Sequence, residues 1–326
     1  MTTTSTPRMV LPGSPAAAVA AGLRSGRRDV TGILFQVFML LCLFIALGIL
    51  AVLLGDVLSD GLGTLIDRGP IDFVTTETTG RAAESGIYDG VFGSFWILVC
   101  VAVVSFPLGL GAAIYLEEYA RPGRVTNLIQ VNVRNLAGVP AVVYGVFGLG
   151  IFVELMGGVL GPGRVAAGKS LLAGGLTMAV LVLPIVIITA SEAIRSVPRA
   201  LREAGYGVGA TRWEVTKDHV LPYALPGILT GTVLSFARAI GETAPLIVVG
   251  ALQGSSPANT GFSVVDNLQG RFTALPMQIY DFQRRPQNQG WADLVAPTII
   301  VLLTVLLVAN AAAILLRNRY ERKREG

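Results

Sequence analysis

The stretch ILFQVFMLLCLFIALGILAVLL, residues 33–54, holds a single strongly polar side chain, Gln36, and no charge. A helix rises about 1.5 Å per residue and the hydrocarbon core of a bilayer is about 30 Å thick, so about 20 mainly apolar residues suffice to cross it. Five further runs meet that length, at 91–116, 136–157, 171–190, 225–252 and 294–316. Pro107 and Pro184 fall inside two of them, which neighbouring helices can accommodate by satisfying the freed carbonyls. Across all 326 residues, 52% are hydrophobic and 14% charged, and the mean hydropathy is +0.65; soluble domains carry about 25% charged residues. The chain is therefore expected to be an all-α integral membrane protein with six transmembrane helices. It forms one membrane domain, 31–326, behind a 1–30 tail rich in Thr, Ser, Pro and Ala that reads as disordered. The first run is too long for a signal-peptide core and lacks a small-residue cleavage site, so it is read as a retained helix. Cys42 and Cys100 lie inside apolar runs and read as small buried hydrophobes, while one histidine, His219, leaves no metal cluster to assemble.

Lys and Arg set the orientation. Seventeen of the 25 fall on the side shared by the two termini, seven on the other, and Arg238 lies within a span. Both termini are thus expected in the cytoplasm. The first outer loop, residues 55–90, carries seven acids against two arginines.

Residues 163–170, GRVAAGKS, satisfy the phosphate-loop pattern G-x-x-x-x-G-K-[ST]. That pattern works by cradling phosphates between a strand and a soluble helix; here it lies in a short outer loop before a membrane helix and reads as a Gly-rich turn with two interfacial cations. Gly205-x-Gly207-x-Gly209 likewise lacks a preceding strand.

The longest and most charged inner connection is residues 191–226. Ser196-Val-Pro198 starts a short helix expected to end at Gly205, and Thr211-Arg-Trp213-Glu214 reads as a capping box opening a second helix that stops at Pro222. Glu203-Ala204-Gly205-x-x-x-Gly209, followed by Val220-Leu221-Pro222, resembles the EAA loop of the permease subunits of bacterial ABC importers. In that family the loop is a coupling helix seated in a cleft of the cytoplasmic ATPase. The resemblance implies ATPase coupling through Arg202, Glu203, Ala204, Gly205, Gly209, Thr211 and Trp213. Here Gly205 replaces the usual second alanine and His219 stands at a position usually apolar.

Arg238 lies at the centre of the fifth run, with Glu242 four residues on, the same face of a continuous helix. A charge at mid-membrane costs about 2.5–3.5 kcal/mol on insertion scales and marks a functional position by default. The segment 237–246, ARAIGETAPL, closely resembles the signature of PstA permeases of phosphate-specific importers, and 272–280, FTALPMQIY, also fits that family. The resemblance implies the type I ABC importer permease (MetI-like) fold, a bacterial plasma-membrane location, and substrate translocation by Arg238, Glu242 and Thr243. It further implies a homologous PstC-type permease, a PstB-type ATPase dimer that binds the ATP and Mg, and an external PstS-type phosphate-binding protein, with no cofactor on this chain.

The chemistry agrees with phosphate, because guanidinium offers planar, permanently charged donors to phosphate oxygens. Moving a dianion into a cell negative by about 100 mV costs about 5 kcal/mol, so an energy source on another chain is expected. The alternative within the class is an importer for another oxyanion, such as sulfate, molybdate or phosphonate. From other classes, a membrane scaffold leaves Arg238 unexplained, and an intramembrane hydrolase would need Glu242 and His219 at one depth.

Overall fold

A computed structural model of the chain describes residues 30–154, 169–251, 271–286 and 289–325. Among these residues there is no strand. The chain divides into two units, Met1–Asp56 and Val57–Gly326, described separately here. Helix α1, Val30–Arg68, begins in the first and ends in the second. Its part in the first unit leaves apolar side chains such as Leu34, Phe44 and Val52 exposed. A helix that is apolar all round and unburied by its own chain suits lipid or another protein.

The second unit is built on α3, Tyr88–Ile114, which ends in a π turn, Tyr115–Tyr119, and on α6, Leu171–Arg195. These two helices approach closely because small residues face large ones, as is usual where lipid supplies no hydrophobic drive between helices. A side chain on Gly175 would collide with Cys100 at 2.7 Å, and one on Gly109 with Val186 at 2.7 Å. The Ser105 hydroxyl donates to the Ala179 carbonyl at 2.6 Å in the same buried seam. Both cysteines are free thiols.

Around this pair run α4, Arg124–Ala137; α5, Ala141–Gly148, with a π turn Leu149–Val153; and α7, Arg199–Gly207. Next come α8, Arg212–Glu214, which passes through a π stretch Val215–Val220 into α9, Leu221–Gly241, and then α10, Ala244–Val249. The last elements are α11, Leu275–Arg284, and α12, Val295–Glu325; a short α2, Pro70–Thr75, lies in the first loop. Among the described residues, five helices are long and apolar enough to cross a membrane, and the bent pair of α4 with Ala141–Val153 makes a sixth if counted as one span.

Two apolar runs differ from the straight helices expected of them. The 136–157 run is the second arm of a 101° bend whose first arm is the amphipathic α4. Gly138 caps α4, and Pro140, with no N–H, starts the next arm in an extended conformation. Residues 155–157 lie outside the described residues. The 225–252 run breaks at Glu242, whose ψ of 120° is extended, between Gly241 and Pro245. Conversely, Pro222 does not stop a helix: the π stretch just before it shifts the hydrogen-bond register, and the helix continues.

At one end of the unit, the first loop and the last connection share an apolar cluster that includes Phe73, Ile87, Leu275, Phe282 and Trp291. Phe282 stacks on Trp291 at 5.5 Å, and the Arg285 guanidinium lies 4.0 Å from the Trp291 ring centre.

Candidate functional site

Arg238 occupies the last turn of α9, Glu242 the residue that ends it, and Thr243 the residue before α10, where its side chain makes no capping bond. The Arg238 Nε donates to Glu242 Oε1 at 3.3 Å. The two side chains are 41% and 25% exposed within this chain. The pair is an i,i+4 contact on the last turn of α9, on one helical face as expected, and the helix breaks immediately after it. Pro245 and Gly241 flank that break, so the local sequence dictates it.

The second break lies against the first. A side chain on Gly145 of α5 would meet Pro245 Cα and Val248 Cβ of α10, each at 2.9 Å. Tyr144, buried in the cluster that also holds Ala239 and Leu246, donates its hydroxyl to the Leu136 carbonyl at 2.7 Å, tying α5 to the end of α4. Paired discontinuous helices with an ionisable couple between them are a recurrent way to hold a charged solute within a membrane.

The 191–226 connection forms a knob. Helix α7 runs through Gly205 to Gly207, contrary to the expectation that Gly205 ends it. Gly205 is a packing residue: a side chain there would strike Val215 Cγ2 at 2.8 Å. The turn instead uses Gly209 at φ +84°, with Ala210 N donating to Gly205 O at 3.2 Å and Gly209 N to Tyr206 O at 3.0 Å. That is the Schellman pattern of a left-handed C-terminal cap. The capping box is present: Thr211 N donates to Glu214 Oε2 at 2.7 Å, and Glu214 N donates to Thr211 Oγ1 at 3.4 Å.

Glu203, Ala204 and Trp213 lie on the exposed side of the knob, joined by Tyr206 and Val208, which the sequence reading had not singled out. Val208 is 84% exposed and Trp213 55%. Arg202 points the other way, into the bundle. It donates Nη2 to Glu118 Oε1 at 2.7 Å, Nη1 to Val197 O at 2.7 Å and Nη2 to Ile194 O at 2.9 Å. Glu117 and Glu118 were also missed; their one legible signal is a pair of acids at a membrane edge where cations are expected.

Of the rejected phosphate-loop match, residues 163–168 lie outside the described residues, and the Ser170 hydroxyl accepts from Ala173 N as the cap of α6. His219 and Glu242 stand at opposite ends of the helical run from the π stretch to α9, about 35 Å apart by helical rise, too far for a shared catalytic centre.

A family model described as "Binding-protein-dependent transport system inner membrane component" matches residues 105–325. The probable ABC transporter permease protein YqgI of Bacillus subtilis is 35% identical over 212 residues, 65% of this chain and 68% of that protein. The phosphate transport system permease protein PstA of Mycobacterium leprae is 32% identical over 310 residues, 94% of this chain and 95% of that protein. PstA 1 of Mycobacterium tuberculosis is 33% identical over 242 residues, 73% of each. Among solved structures, the MetNI methionine ABC transporter in an inward-facing conformation superposes with a TM-score of 0.52 at 16% identity, covering 72% of this chain and 94% of that one. At that identity the likeness concerns the fold alone.

Proposed function

The chain belongs to the binding-protein-dependent transport system inner membrane component family, and from that premise we propose that it is the PstA-type permease subunit of an ATP-driven phosphate importer. The observation that carries this is Arg238. It is half-exposed on an otherwise apolar helix, held by Glu242 at a break that abuts a second break. A guanidinium facing lipid is costly, so its open side faces a polar path or a second protein chain. In this reading the path forms between this chain and a homologous PstC-type permease. Arg238 receives the phosphate oxygens, and Thr243 offers a hydroxyl beside them. Glu242 holds the guanidinium between passages and weakens its grip so that the anion leaves.

The exposed face of the knob, with Glu203, Tyr206, Val208 and Trp213, seats in a PstB-type ATPase dimer, which supplies ATP and Mg chemistry. A PstS-type binding protein delivers phosphate at the opposite end. The excess of Lys and Arg on the knob side supports a cytoplasmic position for that side and for both termini at a bacterial plasma membrane.

The test is radiolabelled phosphate uptake into vesicles holding the full complex, with sulfate and arsenate as competitors. Arg238→Gln is expected to abolish uptake while the complex still assembles. Normal uptake by that variant, or strong inhibition by sulfate, would sink the assignment.

A further inference from the structure

Three successive residues at the end of α3 each hold one arginine from the knob or its approach. Glu117 takes Arg195, from the last turn of α6, in a two-pronged bond at 2.7 and 3.2 Å. Glu118 takes Arg202 of α7 through Nη2 and Nε at 2.7 and 3.1 Å. Tyr119 lies under Arg212 of α8, whose guanidinium is 5.3 Å from the ring centre. The middle contact is the most enclosed, with side chains 5% exposed at Glu118 and 19% at Arg202. Separating two such charges without water to receive them is strongly unfavourable, so the contact resists opening.

The other end of α3 grips a different element. Ser94 Oγ accepts from Leu275 N at 2.9 Å. Gly90 and Gly93 have no room for a side chain against Gln278 and the Thr273 carbonyl. Phe272 is buried against Gly174 of α6. The segment that leads into α11 is thus wedged between the first turns of α3 and α6. From Ser94 to Glu118 the helix rises about 36 Å.

We propose that the Glu118–Arg202 pair is the joint through which motion of α7 enters α3, and that α3 carries it as one rod to the wedge at 272–278, the outer gate of the path. The proposal rests on the reading of α7 as the ATPase-docking helix and assigns to Glu118 and Arg202 a positioning role, with no contact to phosphate. A rigid element fixed at both ends moves as a body, and the charge pair out of solvent adds a directional link to the apolar cluster in which Ala113 of α3 packs with Val197 and Val215 of the knob. Arg202, on this account, faces inward because it transmits and does not dock.

Two measurements on the full complex in vesicles test this, with Cys42 and Cys100 replaced by Ser. The first is phosphate moved per ATP hydrolysed. Glu118→Ala is expected to keep hydrolysis and lower the ratio about tenfold, within the usual range for a coupling between sites. Glu118→Gln, which keeps an acceptor for Arg202 but not the charge, is expected to fall between. The second is labelling of a cysteine placed at Tyr280, 37% exposed on α11, by an impermeant thiol reagent added outside. Its rate should change on addition of ATP in the parent, change by less in Glu118→Gln and stay constant in Glu118→Ala. If Glu118→Ala does not assemble, Glu118→Gln alone decides the matter.

A ratio unchanged in the assembling variant, with uptake and hydrolysis falling together, or a labelling response to ATP as large in it as in the parent, overturns the proposal. Val208→Asp separates the underlying reading, since it should abolish co-purification of the ATPase while leaving the Glu118 contact untouched. Retained ATPase binding and transport in Val208→Asp would defeat the docking assignment, and with it this inference, through a different result from the one that defeats the joint alone.

Discussion

Gly209 and Thr211 stand two residues apart at the tip of the knob, and each can be changed with a separable effect. Gly209 sits at φ +84° with no heavy atom within 4 Å of an added Cβ, so Gly209→Ala introduces backbone strain without a clash, about 1 kcal/mol. Thr211→Ala removes the hydroxyl that receives Glu214 N, also about 1 kcal/mol. Either variant is expected to speed amide hydrogen exchange across 199–214 about fivefold and to leave the melting temperature of the bundle unchanged. A lowered melting temperature with unaltered exchange at the knob would show that the turn is not where the strain falls. The Thr211–Glu214 box was legible because its partners are three residues apart in a fixed pattern. Gly205 was misjudged because glycine serves equally to end a helix and to let another side chain come close, and only the position of Val215 distinguishes the two. The Glu118–Arg202 bond spans 84 positions, and no local spacing announces it.

Apolar runs are read as average hydropathy, which locates a membrane segment and says little about whether its backbone is continuous. Pro107, Pro184 and Pro226 all lie inside helices that run through them, whereas Pro140 and Pro245 begin new ones. The residue type is the same; the neighbours differ. Gly138 stands two residues before Pro140 and Gly241 four before Pro245, whereas the glycines near Pro107 and Pro226, Gly109 and Gly227, follow them. The second break is also held from outside by α5, through the close approach of Gly145. Pro245→Ala restores a donor for the Gly241 carbonyl and should let α9 run on into α10. Spin labels at Leu234 and Ile247, both exposed, would then be separated by a helical rise of about 20 Å, longer than across the break. The variant is expected to fold as stably as the parent and to lose about tenfold in uptake, because the break that sets Thr243 beside the Arg238–Glu242 pair is gone. An unchanged label distance would show that Gly241 and the contact with α5 suffice to hold the break.

At the scale of the whole molecule, scarcity of charge is what makes the site legible. With 46 charged residues in 326, nearly all at the ends of apolar runs, an arginine inside one is an exception that hydropathy alone exposes. What the sequence could not supply is which side of that arginine stays open. The second unit leaves Arg238 41% exposed while burying its neighbours Ala239 and Ile240, so nothing among the described residues covers its open side. The second permease of the proposed complex, lining a polar path, would meet that need.

The permease without its partner should therefore be penalised by the same residue that makes the pair work. Arg238→Leu combined with Glu242→Gln, which leaves no carboxylate unpaired, removes a penalty of up to about 3 kcal/mol on insertion scales. Expressed alone, the variant is expected to persist in the membrane several times longer than the parent in a pulse-chase measurement. Expressed with the partner chains, it should assemble and fail to transport phosphate. Equal lifetimes of the two lone chains would mean that the guanidinium is already accommodated within one subunit, by Glu242 and water, and that the path does not depend on a second permease to shield it. A longer-lived lone chain with a dead complex would place the cost of the isolated subunit and the chemistry of the assembled one on the same charged pair, as expected if Arg238 and Glu242 are retained for transport at the expense of solitary stability.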